Sequence, residues 1–294
     1  MLKKIMVATD FSERSDRALR RATLLAREHD AQIMLLHVVD DDHPRRILES
    51  ECKQAESLLR SLSATVRKVD GVACDWQVRL DAPHSGIAKE VADKQPDLLV
   101  LGPYRRQLLR DVFVGTTAER SIRLADCPVL VVNAVPAGSY LHILQTTDLS
   151  EASGIALEHS AALRIGGSAR NSLLYVFQAP ALRLVLSDSL HPEDRAQYLD
   201  DERQSAAAEL SAFLSTLSVP AAASLLRHEA TTAANEILLA AGSEKADLVV
   251  ISTRGRSGLQ KLMLGSVAEQ ILRSAPMDVL VIPPSVSQKA EVSL

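Results

Sequence analysis

Cysteine is scarce in this chain. Cys52, Cys74 and Cys127 are odd in number, far apart and without metal-ligand spacing, which excludes a disulfide framework and a thiolate metal site. No run of about 18 apolar residues occurs, and the apolar stretch in the opening MLKKIMVATDF is too short for a secretory leader. We therefore expect a soluble, cytoplasmic protein with reduced thiols and no membrane partner. Positive charge is not in excess either: 33 Lys and Arg against 37 Asp and Glu leave a net charge of −4. That balance argues against nucleic acid as a partner and leaves small polar ligands open. His37, His84, His142, His159 and His228 show no metal spacing and read as structural groups, His37 as a satisfied core residue. The G-x-S-x-G elbow of a hydrolase nucleophile is missing. So are the P-loop and Rossmann glycine patterns, which removes the two commonest nucleotide fingerprints.

What the chain does contain is one unit written twice. Its 294 residues, 47% hydrophobic and 24% charged, suit two globular domains, and internal repetition tests that division better than length does. KKIMVATDFSERSDRALRRATLLA is echoed by LHILQTTDLSEASGIALEHSAALR, so that Asp10 falls on Asp148, 138 positions on. DLLVLG at Asp97 is echoed by DLVVIS at Asp247, and CPVLVV by MDVLVI, both 150 positions on. The second copy thus carries 12 more residues between these landmarks, mostly expected in QAPALRLVLSDSLHPED, near residues 178–194. The boundary between copies falls in NAVPAGS, where Pro136 and Gly138 interrupt the pattern.

Within each copy short apolar runs alternate with amphipathic ones. KIMVAT, QIMLLHVV, ACDWQVRL, PDLLVLG and PVLVV are strand-like, and runs apolar on both faces suit parallel strands covered by helices. Ala18, Leu19, Ala22, Leu25 and Ala26 recur at three- and four-residue steps, one face of a helix. Five strands alternating with four helices predict a doubly wound α/β domain. Ligands of such domains bind beyond the carboxyl ends of the strands, so the residues there matter most.

Two strand ends of the second copy carry unusual residues. The first ends Thr146, Thr147, Asp148 before LSEAS; Asp148 either shapes the turn or accepts hydrogen bonds from a ribose, and Ser150 suits a helix cap. The fourth strand, ending at Ile251 and Ser252, leads into TRGRSGLQKLMLGS and a helix that opens near Gly265, Ser266 and Val267. A helix start presents unpaired N–H groups to an anion. Ser266 either caps that helix or adds a hydroxyl to a phosphate. Gly255 and Gly258 allow close backbone approach, and Arg254 and Arg256 offer forked donors to phosphate. Read by composition alone, the same loop is merely solvated. Asp40 to Pro44 (DDDHP) is either a solvated acidic loop or a contact for nucleotide-bound magnesium.

At these residues the chain resembles the universal stress protein family in its tandem, two-domain form. ATP-binding members of that family carry G-x2-G-x9-G-[ST] from the fourth strand to the last helix; here Ser252, Gly255, Gly265 and Ser266 occupy the pattern, with serine for the first glycine. ATDFSE and TTDLSE resemble the family's first strand with its ribose-binding aspartate, and Val38 and Val176 match the position whose main chain meets adenine. The resemblance implies ATP, with accompanying magnesium left open, held in the second copy by Thr146, Asp148, Val176, Ile251, Ser252, Arg254, Gly255, Gly265, Ser266 and Val267. The first copy retains Asp10, Val38, Gly102, Gly115 and Thr116 but has Arg105 where the middle glycine belongs. It reads as a scaffold half, with Arg105 reaching phosphate as the alternative.

The expected architecture is two tandem doubly wound domains, residues 1–136 and 139–284, each a five-stranded parallel sheet of order 3-2-1-4-5 with helices on both faces. They are expected to pack as an internal pseudo-dimer through PVLVV and DVLVI, with a homodimer of the whole chain left open. With no residue set to activate water, the expected role is nucleotide binding and sensing. A nucleotide-independent interaction protein and a slow ATPase stand as alternatives.

Overall fold

The structure, a computed structural model, describes residues 2–42, 44–103, 117–183, 191–219, 222–253 and 264–283. In the first copy β1 (Lys4–Ala8), α1 (Glu13–His29), β2 (Gln32–Val39), α2 (Arg45–Thr65), β3 (Cys74–Leu80), α3 (Pro83–Lys94), β4 (Leu98–Leu101), α4 (Thr117–Leu124) and β5 (Val129–Val131) follow in turn. The second repeats the order with β6 (His142–Thr147), α5 (Glu151–Leu163), β7 (Arg170–Phe177), α6 (Pro192–Leu214), β8 (Ala223–His228), α7 (Ala233–Glu244), β9 (Leu248–Ser252), α8 (Ser266–Ser274) and β10 (Asp278–Ile282). The link from β7 to α6 runs through residues 178–191, against 40–44 for the link from β2 to α2, and takes up most of the added length. No helix among the described residues is long and apolar enough to cross a membrane.

Both copies adopt the expected strand order. The two five-stranded sheets join through β5 and β10 into one, whose ten strands run β3-β2-β1-β4-β5-β10-β9-β6-β7-β8. All neighbours pair in parallel except β5 and β10, which meet antiparallel with Val131 opposite Val279 and Val129 opposite Val281. The apolar runs explain the join. Every residue of β4, β5 and β10 is buried, so a fifth strand left as an edge would expose both an apolar face and unpaired backbone groups. The predicted helical face is where it was read: Ala18, Ala22, Leu25 and Ala26 are buried and Leu19 packs beside them. Helices α1, α2 and α5 cover one side of the sheet in a core that runs from Leu2 and Leu25 through Leu130 and Leu280 to Leu163. The opposite core, under α3, α4, α7 and α8, also spans both copies, from Ile87 and Ile122 to Ile237 and Ile271.

A polar cluster locks the seam. Asp278, with 0% exposure, accepts hydrogen bonds on Oδ1 from the backbone N–H groups of Asn133 and Ala134, both at 3.0 Å. Its Oδ2 accepts from Tyr140 Oη at 2.6 Å and from Arg21 Nε at 3.1 Å. The Arg21 guanidinium also donates to the Gly138 carbonyl at 2.7 Å and lies 3.9 Å from the centre of the Tyr140 ring. One helix of the first copy, the connecting segment and the last strand of the second are thus held by one buried carboxylate. Tyr140→Phe, which removes one of its donors and nothing else, is expected to cost about 1–3 kcal/mol in a urea melt.

Candidate functional site

Each copy turns from its first strand into its first helix by the same device. In the second copy the Leu149 N–H donates to Thr147 Oγ1 at 3.0 Å, and Thr147 Oγ1 and Ser153 Oγ lie 2.9 Å apart. Asp148 Oδ1 accepts from the Ser150 N–H at 3.1 Å and from Ser150 Oγ at 2.5 Å. The Thr9, Asp10, Phe11, Ser12 and Ser15 set repeats this almost bond for bond. The turns require φ of 58° at Phe11 and 64° at Leu149, the left-handed region that side chains resist. Such strain persists only where surrounding bonds over-determine it, and it concentrates at functional turns.

Of the two roles open to Asp148, turn shaping is therefore carried by Oδ1. Ser150 is the cap, its Oγ accepting from the Ser153 N–H. Burial pushes the Asp10 carboxyl up, but hydrogen bonds from Ser12 and Ser15 and the charge of Arg14 outweigh it and leave the group below the usual carboxylate range.

The sheet brings the second copy's candidates to one edge. Thr147 lies opposite Tyr175, so Asp148 and Val176 stand level at the carboxyl ends of β6 and β7. Thr146 Oγ1 donates to the Val250 carbonyl at 2.9 Å and ties β6 to β9. Ile251 is buried, and Ser252, half-buried, pairs with Ile282 at the end of β9. The Gly265 N–H then donates to the Thr253 carbonyl at 2.9 Å, which fixes the start of α8 against the end of β9. Gly265 is the N-cap of α8 and Ser266 its first helical residue. Ser266 is thus not the cap; it is exposed in the first turn of α8, whose leading N–H groups have no partner within the helix. Val267 is also exposed. Arg254 and Gly255 lie outside the described residues, as do Gly115, Thr116 and Arg105.

In the first copy Asp10 and Val38 are level in the same way, since Ala8 lies opposite Leu36. Gly102 sits at the end of β4, where an added Cβ would come within 2.9 Å of the Arg14 carbonyl. Ser252 holds the matching position in the second copy. His37 is half-buried, its Nδ1 2.7 Å from the Thr9 carbonyl oxygen and its ring 4.5 Å from Phe11. The Asp40, Asp41 and Asp42 carboxylates lie within 4.8 Å of one another in a largely exposed loop.

Two residues beside this edge escaped the sequence reading. Arg227 lies opposite Val176 on β8, and Glu236, in the first turn of α7, is 5% exposed. The one signal for Glu236 was its place on a helix face otherwise apolar, where a buried carboxylate is unexpected.

A sequence model of the universal stress protein family matches residues 1–133 and 139–283. A universal stress protein of Mycolicibacterium smegmatis is 24% identical over 293 residues, covering 95% of this chain and 97% of that one. One from Methanocaldococcus jannaschii is 33% identical over 141 residues, 45% of this chain and 82% of its own. The crystal structure of a universal stress protein from Archaeoglobus fulgidus superposes with a TM-score of 0.67 at 16% identity over 96% of this chain and 98% of that one.

Proposed function

Since the chain belongs to the universal stress protein family, a family of the stress response, we propose that its second copy binds ATP or a related adenine nucleotide as a sensing or regulatory module. The observation that carries this is the convergence, on one sheet edge, of the strained Asp148 turn, the Val176 strand end and the first turn of α8. These supply what the ligand needs in the order it needs it. The Asp148 carboxylate, already oriented by Ser150, accepts from ribose hydroxyls. Val176 offers an apolar wall and main-chain groups to the base, and the N–H groups and hydroxyl at Ser266 meet phosphate oxygens. Gly255 and Arg254 are assigned to the same phosphates on the family pattern alone. Any magnesium would be held largely by the phosphates themselves. The first copy is proposed as the scaffold half of an internal pseudo-dimer, its Asp10 engaged by Arg14 at 3.8 Å.

Isothermal titration of the full chain with ATP tests the reading. One site per chain is expected, with Asp148→Ala weakening binding about tenfold for the loss of charge-assisted bonds to ribose and Asp10→Ala leaving it unchanged. Absence of heat with the unsubstituted chain favours a nucleotide-independent role. Phosphate release that scales with protein would move the reading to a slow ATPase.

A further inference from the structure

Resting on the nucleotide reading above, we propose that Glu236 selects the base, its carboxylate accepting a hydrogen bond from the exocyclic 6-amino group of adenine, so that the second crevice takes 6-aminopurine nucleotides and rejects 6-oxopurines. The argument begins with an arginine that both copies share. Arg79 lies opposite Val38 on β3, and Arg227 lies opposite Val176 on β8, in the same register. Their carboxylate partners differ in position. Arg79 Nη1 donates to Glu90 at 2.7 Å and to Asp93 at 2.9 Å, in the second half of α3. Arg227 instead faces Glu236, in the first turn of α7. A helix that follows one parallel strand and returns to the next begins at the carboxyl edge of the sheet, so the carboxylate has moved to the crevice end in the second copy alone.

Helices α3 and α7 are both 12 residues long and begin 150 positions apart, which sets Gly86 and Glu236 at the same point. In the first copy that point lies directly on the valine that matches Val176: a Cβ built on Gly86 would come within 2.6 Å of Val38 Cγ1. In the first copy the spot is bare, and in the second it carries an acid.

The acid is poorly served by the protein. Its side chain is 6% exposed, yet the Arg227 Nε to Glu236 Oε2 separation is 3.6 Å, too long for a hydrogen bond. Among the described residues the carboxylate accepts one side-chain hydrogen bond, from Thr231 Oγ1 at 3.2 Å. A carboxylate only accepts and has about four sites to fill, and a buried one left short carries a cost that an incoming N–H donor relieves. Adenine brings such a donor beside Val176. Hypoxanthine brings a carbonyl oxygen at the same position, which meets carboxylate lone pairs.

Titration of the full chain with ATP and with ITP, for the unsubstituted protein and for Glu236→Gln, tests this. The unsubstituted chain is expected to prefer ATP by at least ~10-fold, and Glu236→Gln, whose amide turns either its oxygen or its NH2 to the base, to bring the two within about threefold. Equal binding of ATP and ITP by the unsubstituted chain overturns the proposal while leaving the nucleotide reading intact, and needs no variant to fold. A preference that survives in Glu236→Gln overturns it as well. No heat with either nucleotide removes the nucleotide reading and this inference together.

Discussion

Asp278→Ala is expected to destabilise the fold by about 3–5 kcal/mol, since it removes the acceptor on which the seam's buried donors converge. Four donors converge on this carboxylate and each loses it as a partner: the backbone N–H groups of Asn133 and Ala134, the Tyr140 hydroxyl and the Arg21 guanidinium, which keeps only its bond to the Gly138 carbonyl. Arg21 is the costliest of them, because it is 5% exposed and keeps its charge. Adding Arg21→Met to Asp278→Ala should therefore cost less than the two single changes added, since an apolar side chain removes the stranded charge. Urea melts of the four proteins measure this, and strict additivity would show that the two groups do not act as a pair. The titration of Asp278 runs the opposite way from common acid sensitivity. Burial raises its carboxyl above the ordinary range despite Tyr140, Ala134, Arg21 and Asn133. A group raised on folding contributes most below the unfolded carboxylate range, and that contribution fades as pH climbs through the raised value. Mild acid therefore does not open the seam through Asp278.

Gly265→Asp should separate stability from ligand binding. Gly265 caps α8 with φ −65° and ψ 148°, a backbone conformation that any residue adopts. Aspartate is among the best residues at that position, and its carboxylate favours the positive helix end, so the melting temperature should hold or rise slightly. The same negative charge would stand where the phosphates are proposed to lie. Competition for the helix N–H groups, with like-charge repulsion added, is expected to weaken ATP by about 2 kcal/mol, roughly 30-fold in Kd. Calorimetry with ATP beside a thermal melt checks both halves of the expectation. Unchanged affinity would mean that the triphosphate does not lie against α8.

The repeat made much of this fold legible before any coordinates. Apolar runs such as DLLVLG and CPVLVV are unambiguous because strands buried on both faces leave no choice of residue, and the offset between copies located the added segment. The join between β5 and β10 into one sheet was half visible: the pairing strands could be named, while continuity of the sheet depends on backbone bonds that no side-chain pattern records. At the candidate site, Asp148, Val176 and Gly265 could be named because short motifs mark the strand ends. Between the two roles open to Ser266 the sequence could not choose, because helix starts shift by a residue with local hydrogen bonds, here the bond from Gly265 to Thr253 that makes Gly265 the cap. Arg227 and Glu236 stayed hidden since their pairing joins a strand to a later helix, and sequence separation alone does not reveal which face each occupies. Asp278 gave no warning either, as its partners come from α1 and the connecting segment, both far from it in sequence.

Head-to-head pairing of β5 and β10 has a directional result. Every strand of the first copy points one way along the sheet and every strand of the second points the other, so the two crevices open toward opposite ends of the molecule. Groups gathered at one copy's carboxyl edge therefore cannot complete a site at the other's, and the two halves meet only along the midline, where Asp278 sits as the rivet.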